Sequence, residues 1–235
     1  MIIVISLGGS IVAPDTVDKE YLIALYKMAE NLLLKNNNLK FIFVVGGGGP
    51  ARAWQNSYVS VTESVMRNDI HINKNEQSDW IGIMATRLNA QLVKAIFGEW
   101  CPQDVIVDPT KEIKFTGRVM VAAGWKPGFS SDNDAVLLAE KFKAGTVINL
   151  SNIEKVYSAD PKKDPSAKPI DNISWKEFRL LVGDEWTPGK NVPFDPVASG
   201  RAEKSGIQVI CAAGKDLSNL EKIISGKDFI GTTIS

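Results

Sequence analysis

At 235 residues the chain can bury a large core, as one α/β domain or as two small ones. Lys plus Arg and Asp plus Glu number 27 each, and no basic block is interleaved with aromatics, which argues against nucleic acid as a partner. Cys101 and Cys211 lie far apart with no CxxC spacing, no apolar run reaches the roughly 18 residues that span a membrane, and the short apolar start lacks a cationic region; a cytoplasmic protein with a small-molecule ligand is expected.

Met1 to Ser6 reads as a short apolar strand that runs into Leu7, Gly8, Gly9 and Ser10. A packing helix follows, with Leu22, Leu25, Tyr26, Ala29, Leu32 and Leu33 on one face, ended by the asparagines at 36 to 38. Phe41 to Trp54, FIFVVGGGGPARAW, then gives a second strand, a glycine turn and a helix start. Gly46 to Gly49 lack the Cβ that would keep an anion from backbone N–H groups, and Pro50 suits the first helical turn. Four glycines are also what a merely flexible loop would carry. The repetition of strand and glycine turn favours phosphate, because two such turns on neighbouring parallel strands would share one sheet edge.

Tyr58 to Gln77 is polar and patternless, a loop or a helix end plus loop. His71, the only histidine, lies there with no partner nearby in sequence and is read as incidental. Ser78 is expected to cap a helix running through Phe97. At about 100° per residue Asp79, Gly82, Thr86 and Asn89 share one quadrant of it, while Trp80, Met84, Leu88 and Leu92 take another face, so the polar stripe lines either a cleft or solvent.

Val105 to Val107 and Gly117 to Ala123 read as strands. FSSDNDAVLLAEKFKA then places two hydroxyls and two acids before a helical run. Ser131 or Asp132 would suffice as a helix cap, and four such residues exceed that need; Ser130 and Ser131 suit phosphate oxygens, and Asp132 suits orienting a neighbouring lysine, water or metal. Gly145 to Leu150 is another strand, followed by a long polar loop holding Tyr157, suited to stack on a base, and Asp160, suited to accept from a ribose or base edge. Helices at Ser174 to Leu181, Val197 to Lys204 and Leu217 to Ile224, with a strand at Ile207 to Cys211, complete an alternation that implies a mostly parallel sheet covered on both faces.

LGGS, VVGGGGPAR, DWIGIMATRLNA, PGFSSDNDAVLLAE, SNIEKVYSADPKKDPSAK and the closing GTTI occur in the order and spacing of the amino acid kinase superfamily. Over essentially the whole chain the sequence resembles the archaeal type of uridylate (UMP) kinase within it. The resemblance implies a three-layer α/β/α sandwich forming a single domain over residues 1–235, with ATP, Mg²⁺ and UMP as ligands. It also implies a homo-oligomer, a hexamer built as a trimer of dimers.

Position by position, Gly9 and Ser10 match the turn on the ATP phosphates, with Ser10 also at the transfer site, and Gly48 and Arg52 match positions that help hold ATP. Ser151, Tyr157 and Asp160 match residues around its nucleoside. Gly47 and Asp79, with the segment Trp125, Lys126, Pro127, Gly128, Phe129, Ser130 and Ser131, match the acceptor site, and Asp132 matches the aspartate that organises transfer. No residue is assigned to a metal.

The chain departs from the family pattern at Ser6, often charged in relatives, and at Gly49 and Pro50, where a lysine usually follows three glycines. It departs again at Glu154 and Lys155, and at Asn133 and Asp134, which stand where small apolar residues are usual. These departures keep open a different carboxylate or phosphate acceptor, or a relative that binds nucleotide or oxyanion without turnover. A Rossmann reading of Gly46, Gly48 and Ala51 with Asp69 as the ribose acid fails, because Asp69 ends no recognisable strand.

Overall fold

The computed structural model describes residues 1–65, 73–185 and 192–235; His71 and Asp69, discussed above, lie outside them. The elements follow as β1 (Ile2–Leu7), α1 (Gly9–Val12), α2 (Lys19–Lys35), β2 (Lys40–Val45), α3 (Gly48–Val65) and α4 (Lys74–Phe97). Next come β3 (Val119–Ala122), α5 (Ser131–Phe142), β4 (Thr146–Ser151), β5 (Val156–Tyr157), β6 (Pro169–Ile170) and β7 (Asn172–Ile173). The chain closes with α6 (Trp175–Val182), α7 (Pro196–Lys204), β8 (Gln208–Ala213), α8 (Leu217–Ile224) and β9 (Thr232–Ile234).

Seven strands form one sheet in the order β3-β2-β1-β4-β8-β9-β7, parallel except where β9 runs against β8. The central strands are apolar on both sides because both faces are covered. Ile5, Leu7, Phe41, Phe43 and Val45 point into one core with α2, α4 and α8. Val4, Ile42, Val44, Met120 and Val147 point into the other with α5, α6 and α7. This is the expected three-layer sandwich. Strand order reverses between β1 and β4, the place in such sheets where the carboxyl ends open into a crevice.

Several local expectations are corrected. Helix α3 continues to Val65, which bears out the helix-end alternative for Tyr58 to Val65, while Lys74 to Gln77 belongs to α4 rather than to a loop. The cap of α4 is Asn73, whose side chain accepts from the Glu76 N–H at 3.2 Å, and Ser78 lies inside the helix. Ser130, rather than Ser131 or Asp132, caps α5 by accepting from the Asn133 N–H at 3.2 Å. The strand expected at Val105 to Val107 shrinks to one bridge, Ile106 to Ala122. The long loop after β4 contains a two-stranded hairpin, β5 with β6. Among the described residues, no helix is long and apolar enough to cross a membrane.

Candidate active site

β1 and β2 are paired in parallel with Leu7 opposite Val45, so the turns that follow them leave the sheet side by side. The Gly46 N–H donates to the Leu7 carbonyl at 3.0 Å, and the Gly8 N–H donates across to Leu150 at 3.0 Å. The two turns then touch backbone to backbone. A Cβ placed on Gly9 would stand 2.0 Å from the Gly48 nitrogen and 2.6 Å from that of Gly47, and Gly48 itself has φ +66°. Only glycine tolerates both conditions. The N–H groups of Gly9, Ser10, Gly47 and Gly48 donate to no described residue, and the second turn leads directly into the 18-residue α3. Free amides beside the positive end of a helix dipole form an anion-binding concavity.

The polar stripe of α4 faces this point rather than solvent. Buried Asn89 donates through Nδ2 to the carbonyls of Gly46 at 2.9 Å and Gly47 at 3.1 Å. In a trans peptide the N–H points opposite its carbonyl, so fixing these two carbonyls aims the Gly47 and Gly48 N–H groups away from α4. Trp80, Met84 and Leu88 are the large apolar residues of α4 left exposed.

The segment from Gly124 to Ser131 closes the site from the other side, and side chains of α4 and α5 hold its backbone. Thr86 Oγ1 accepts from the Gly124 N–H at 2.8 Å, and Arg87 donates to the Trp125 carbonyl at 3.0 Å. Asp134 Oδ2 accepts from the Trp125 N–H at 3.1 Å, and Asp79 Oδ2 from the Gly128 N–H at 3.1 Å. Between this strap, the second glycine turn and α4 lies a cavity of about 310 Å³. Its charged side chains are Arg52, Asp79 and Lys126; the Lys126 ammonium rests 4.0 Å over the Trp125 ring.

Asp132 joins three elements. It accepts from the Ser6 hydroxyl on β1 at 2.8 Å and from the Asp195 N–H ahead of α7 at 3.3 Å. Burial pushes its carboxyl up to about 6, against the Ser6 hydrogen bond, which lowers it, while the Asp195 charge adds to the rise. Asp134 is 1% exposed, and its Oδ1 has no described partner. Burial, and then the nearby Asp132 and Asp108 charges, hold its carboxyl at about 7 against the Trp125 hydrogen bond.

A carboxyl raised by folding is protonated in the native state over a pH range where the unfolded chain has already lost the proton. Native stability therefore falls as pH climbs from about 4 through 7. Asp134→Asn keeps an acceptor for Trp125 and removes that loss. The variant is expected to gain about 2 to 4 kcal/mol on the wild type between pH 5 and pH 8. Urea unfolding at both pH values measures it, and parallel stability curves would refute the assignment.

Of the residues singled out in the sequence, Gly47, Gly48, Arg52, Asp79 and the run from Lys126 to Ser131 line the cavity, and Trp125 abuts it. Arg52 also donates to the Pro14 carbonyl at 3.2 Å. Gly9 packs against the second glycine turn, and neither it nor Ser10 is part of the cavity lining. Ser151 ends β4 next to that crevice, with Oγ accepting from the Ile153 N–H at 3.3 Å. Tyr157 lies in β5, and Asp160 accepts from the Lys162 N–H at 3.0 Å; neither reaches the cavity. Arg87, Asp195 and Gln55 escaped the sequence reading, and Ser6 entered it only as a departure. Asp195 carried a signal, an Asp-Pro pair ahead of a helix, where it caps α7 by accepting from the Ala198 N–H at 2.7 Å.

The sequence pattern of the amino acid kinase family matches residues 1–213. A uridylate kinase of Methanospirillum hungatei is 34% identical over 236 residues, covering 99% of this chain and 94% of that one. One from Thermoplasma volcanium is 35% identical over 234 residues, covering 99% and 96%. The crystal structure of the uridylate kinase from Archaeoglobus fulgidus superposes with a TM-score of 0.81 at 33% identity and covers 100% of both chains. The UMP kinase from Ureaplasma parvum, at 18% identity and a TM-score of 0.72 over 100% of this chain and 98% of that one, shares the fold.

Proposed function

The chain belongs to the amino acid kinase family, and from that premise we propose that it transfers the γ-phosphate of ATP to UMP, giving UDP. The observation that carries the reading is the backbone contact between two glycine turns whose four amides donate to no described residue, with a strap-covered cavity beside it. A monophosphate is already ionised, so phosphoryl transfer needs no general base; it needs alignment and neutralisation of charge. The amides of Gly9, Ser10, Gly47 and Gly48 supply fixed donors for the oxygens that gain charge in the transition state. On this reading Gly9, Ser10, Gly48 and Arg52 hold the ATP phosphates, with Ser151, Tyr157 and Asp160 around its nucleoside. Gly47, Asp79 and the strap from Trp125 to Ser131 hold UMP, and Asp132 with Ser10 organises transfer.

Among the described residues no cluster of three acidic, histidine or cysteine side chains could cage a metal. Mg²⁺ would enter with ATP and neutralise phosphate charge, a role that needs no such cage. Exposed Trp54 on α3, with Trp80, Met84 and Leu88 on α4, supports a homo-oligomer; a hexamer assembled as a trimer of dimers is what the family resemblance implies. The whole of residues 1–235 acts as one domain, in the cytoplasm, in the supply of pyrimidine nucleotides.

A coupled assay with Mg-ATP against UMP, CMP, AMP and a panel of small carboxylates tests the reaction. UMP is expected to give the highest kcat/KM. Turnover confined to a carboxylate, or ATP binding without any turnover, would overturn it.

A further inference from the structure

Gln55, on the third turn of α3, reaches across to α4, where Nε2 donates to the Ser78 carbonyl at 3.0 Å. Its amide lies against Gly82, where an added Cβ would meet Nε2 at 2.6 Å and Cδ at 3.1 Å. Both residues line the cavity assigned above to the acceptor. Because a carbonyl only accepts, the Ser78 bond fixes which way the amide faces; a flip would set two oxygens against each other. Neither Oε1 nor the second Nε2 proton has a hydrogen-bond partner among the described residues. Gln55 is also the one primary amide among the residues lining this cavity, whose charged groups suit hydroxyls and phosphate instead.

We propose that Gln55 is a specificity-determining residue that reads the base of the acceptor nucleotide, an inference that rests on the UMP reaction above. The fixed amide presents an acceptor beside a donor. That edge complements the imide of uracil, whose ring N–H stands next to a carbonyl. Cytosine presents a bare ring nitrogen beside an amino group, the reverse order, and matching it requires the flip that Ser78 opposes. A site built to satisfy a polar edge rejects an analogue that leaves the site's own groups unpaired.

The test compares kcat/KM for UMP, CMP and dUMP in the wild type, in Gln55→Met, which keeps the volume without the amide, and in Gly82→Ala, which leaves the amide intact but displaces it. The UMP-to-CMP preference is expected to fall about tenfold in both variants, through KM for UMP, with dUMP losing as much as UMP. An unchanged preference in an active variant overturns the role of Gln55 and leaves the reaction standing. Equal losses for UMP and CMP with dUMP spared would mean that Gln55 contacts the sugar, and would overturn base reading. A wild type inert towards UMP overturns the reaction, and this role with it. Gly82→Ala, which adds a helix-favouring residue inside α4, guards against a Gln55 variant that does not fold.

Discussion

Gly9→Ala is expected to lower kcat/KM at least about 100-fold, with KM for ATP and for the acceptor both disturbed. The new methyl carbon would stand 2.0 Å from the backbone nitrogen of Gly48. No rotamer relieves a Cβ, and the atom it meets is main chain, so the turns must part by about 1 Å. Displacement on that scale is enough to cost two orders of magnitude when donor and acceptor have to meet in line. The matched control is Gly200→Ala in α7, where an added Cβ has nothing within 4 Å. That change should leave turnover alone and stabilise the helix by about 0.5 to 1 kcal/mol. Steady-state kinetics and thermal melts on both variants decide the matter; a Gly9→Ala enzyme with wild-type kinetics would mean the turns do not act as a unit.

Asp132→Asn should lower kcat about 100-fold or more while the fold persists. An asparagine oxygen still accepts from the Ser6 hydroxyl, but its NH₂ then confronts the Asp195 N–H, donor against donor. The ends of β1, α5 and α7 lose their common anchor, and the charge at the proposed transfer point changes. Asp132→Glu separates the two causes, since it restores the charge with altered reach. Unchanged single-turnover rates in Asp132→Asn would remove this aspartate from the transfer site.

The parts of this design that are local in sequence were legible. An apolar run broken by glycines at Val45 and Gly46 reads as a strand and an anion turn from residues that touch one another along the chain. Capping was less secure, because Asn73 and Ser78 are both competent caps, and the helix starts at the earlier one. β9 stayed hidden, since Thr232 to Ile234 carries no pattern and takes its conformation from β8 and β7 on either side. The contacts of Asn89 with Gly46 and of Gln55 with Ser78 span 43 and 23 residues, and no local rule pairs them. Asp134 stood out in the sequence as a departure, but its bond to Trp125 required the strap to be seen in place.

Helix α4 meets the strap and the second glycine turn at four points, Asp79, Thr86, Arg87 and Asn89. All four depend on angular phase. One residue inserted after Met84 would turn Thr86, Arg87 and Asn89 by about 100° relative to Asp79, unhooking three grips in a single genetic event. Substitutions along this helix should therefore act one at a time, whereas insertions and deletions between Asp79 and Asn89 should act all or none.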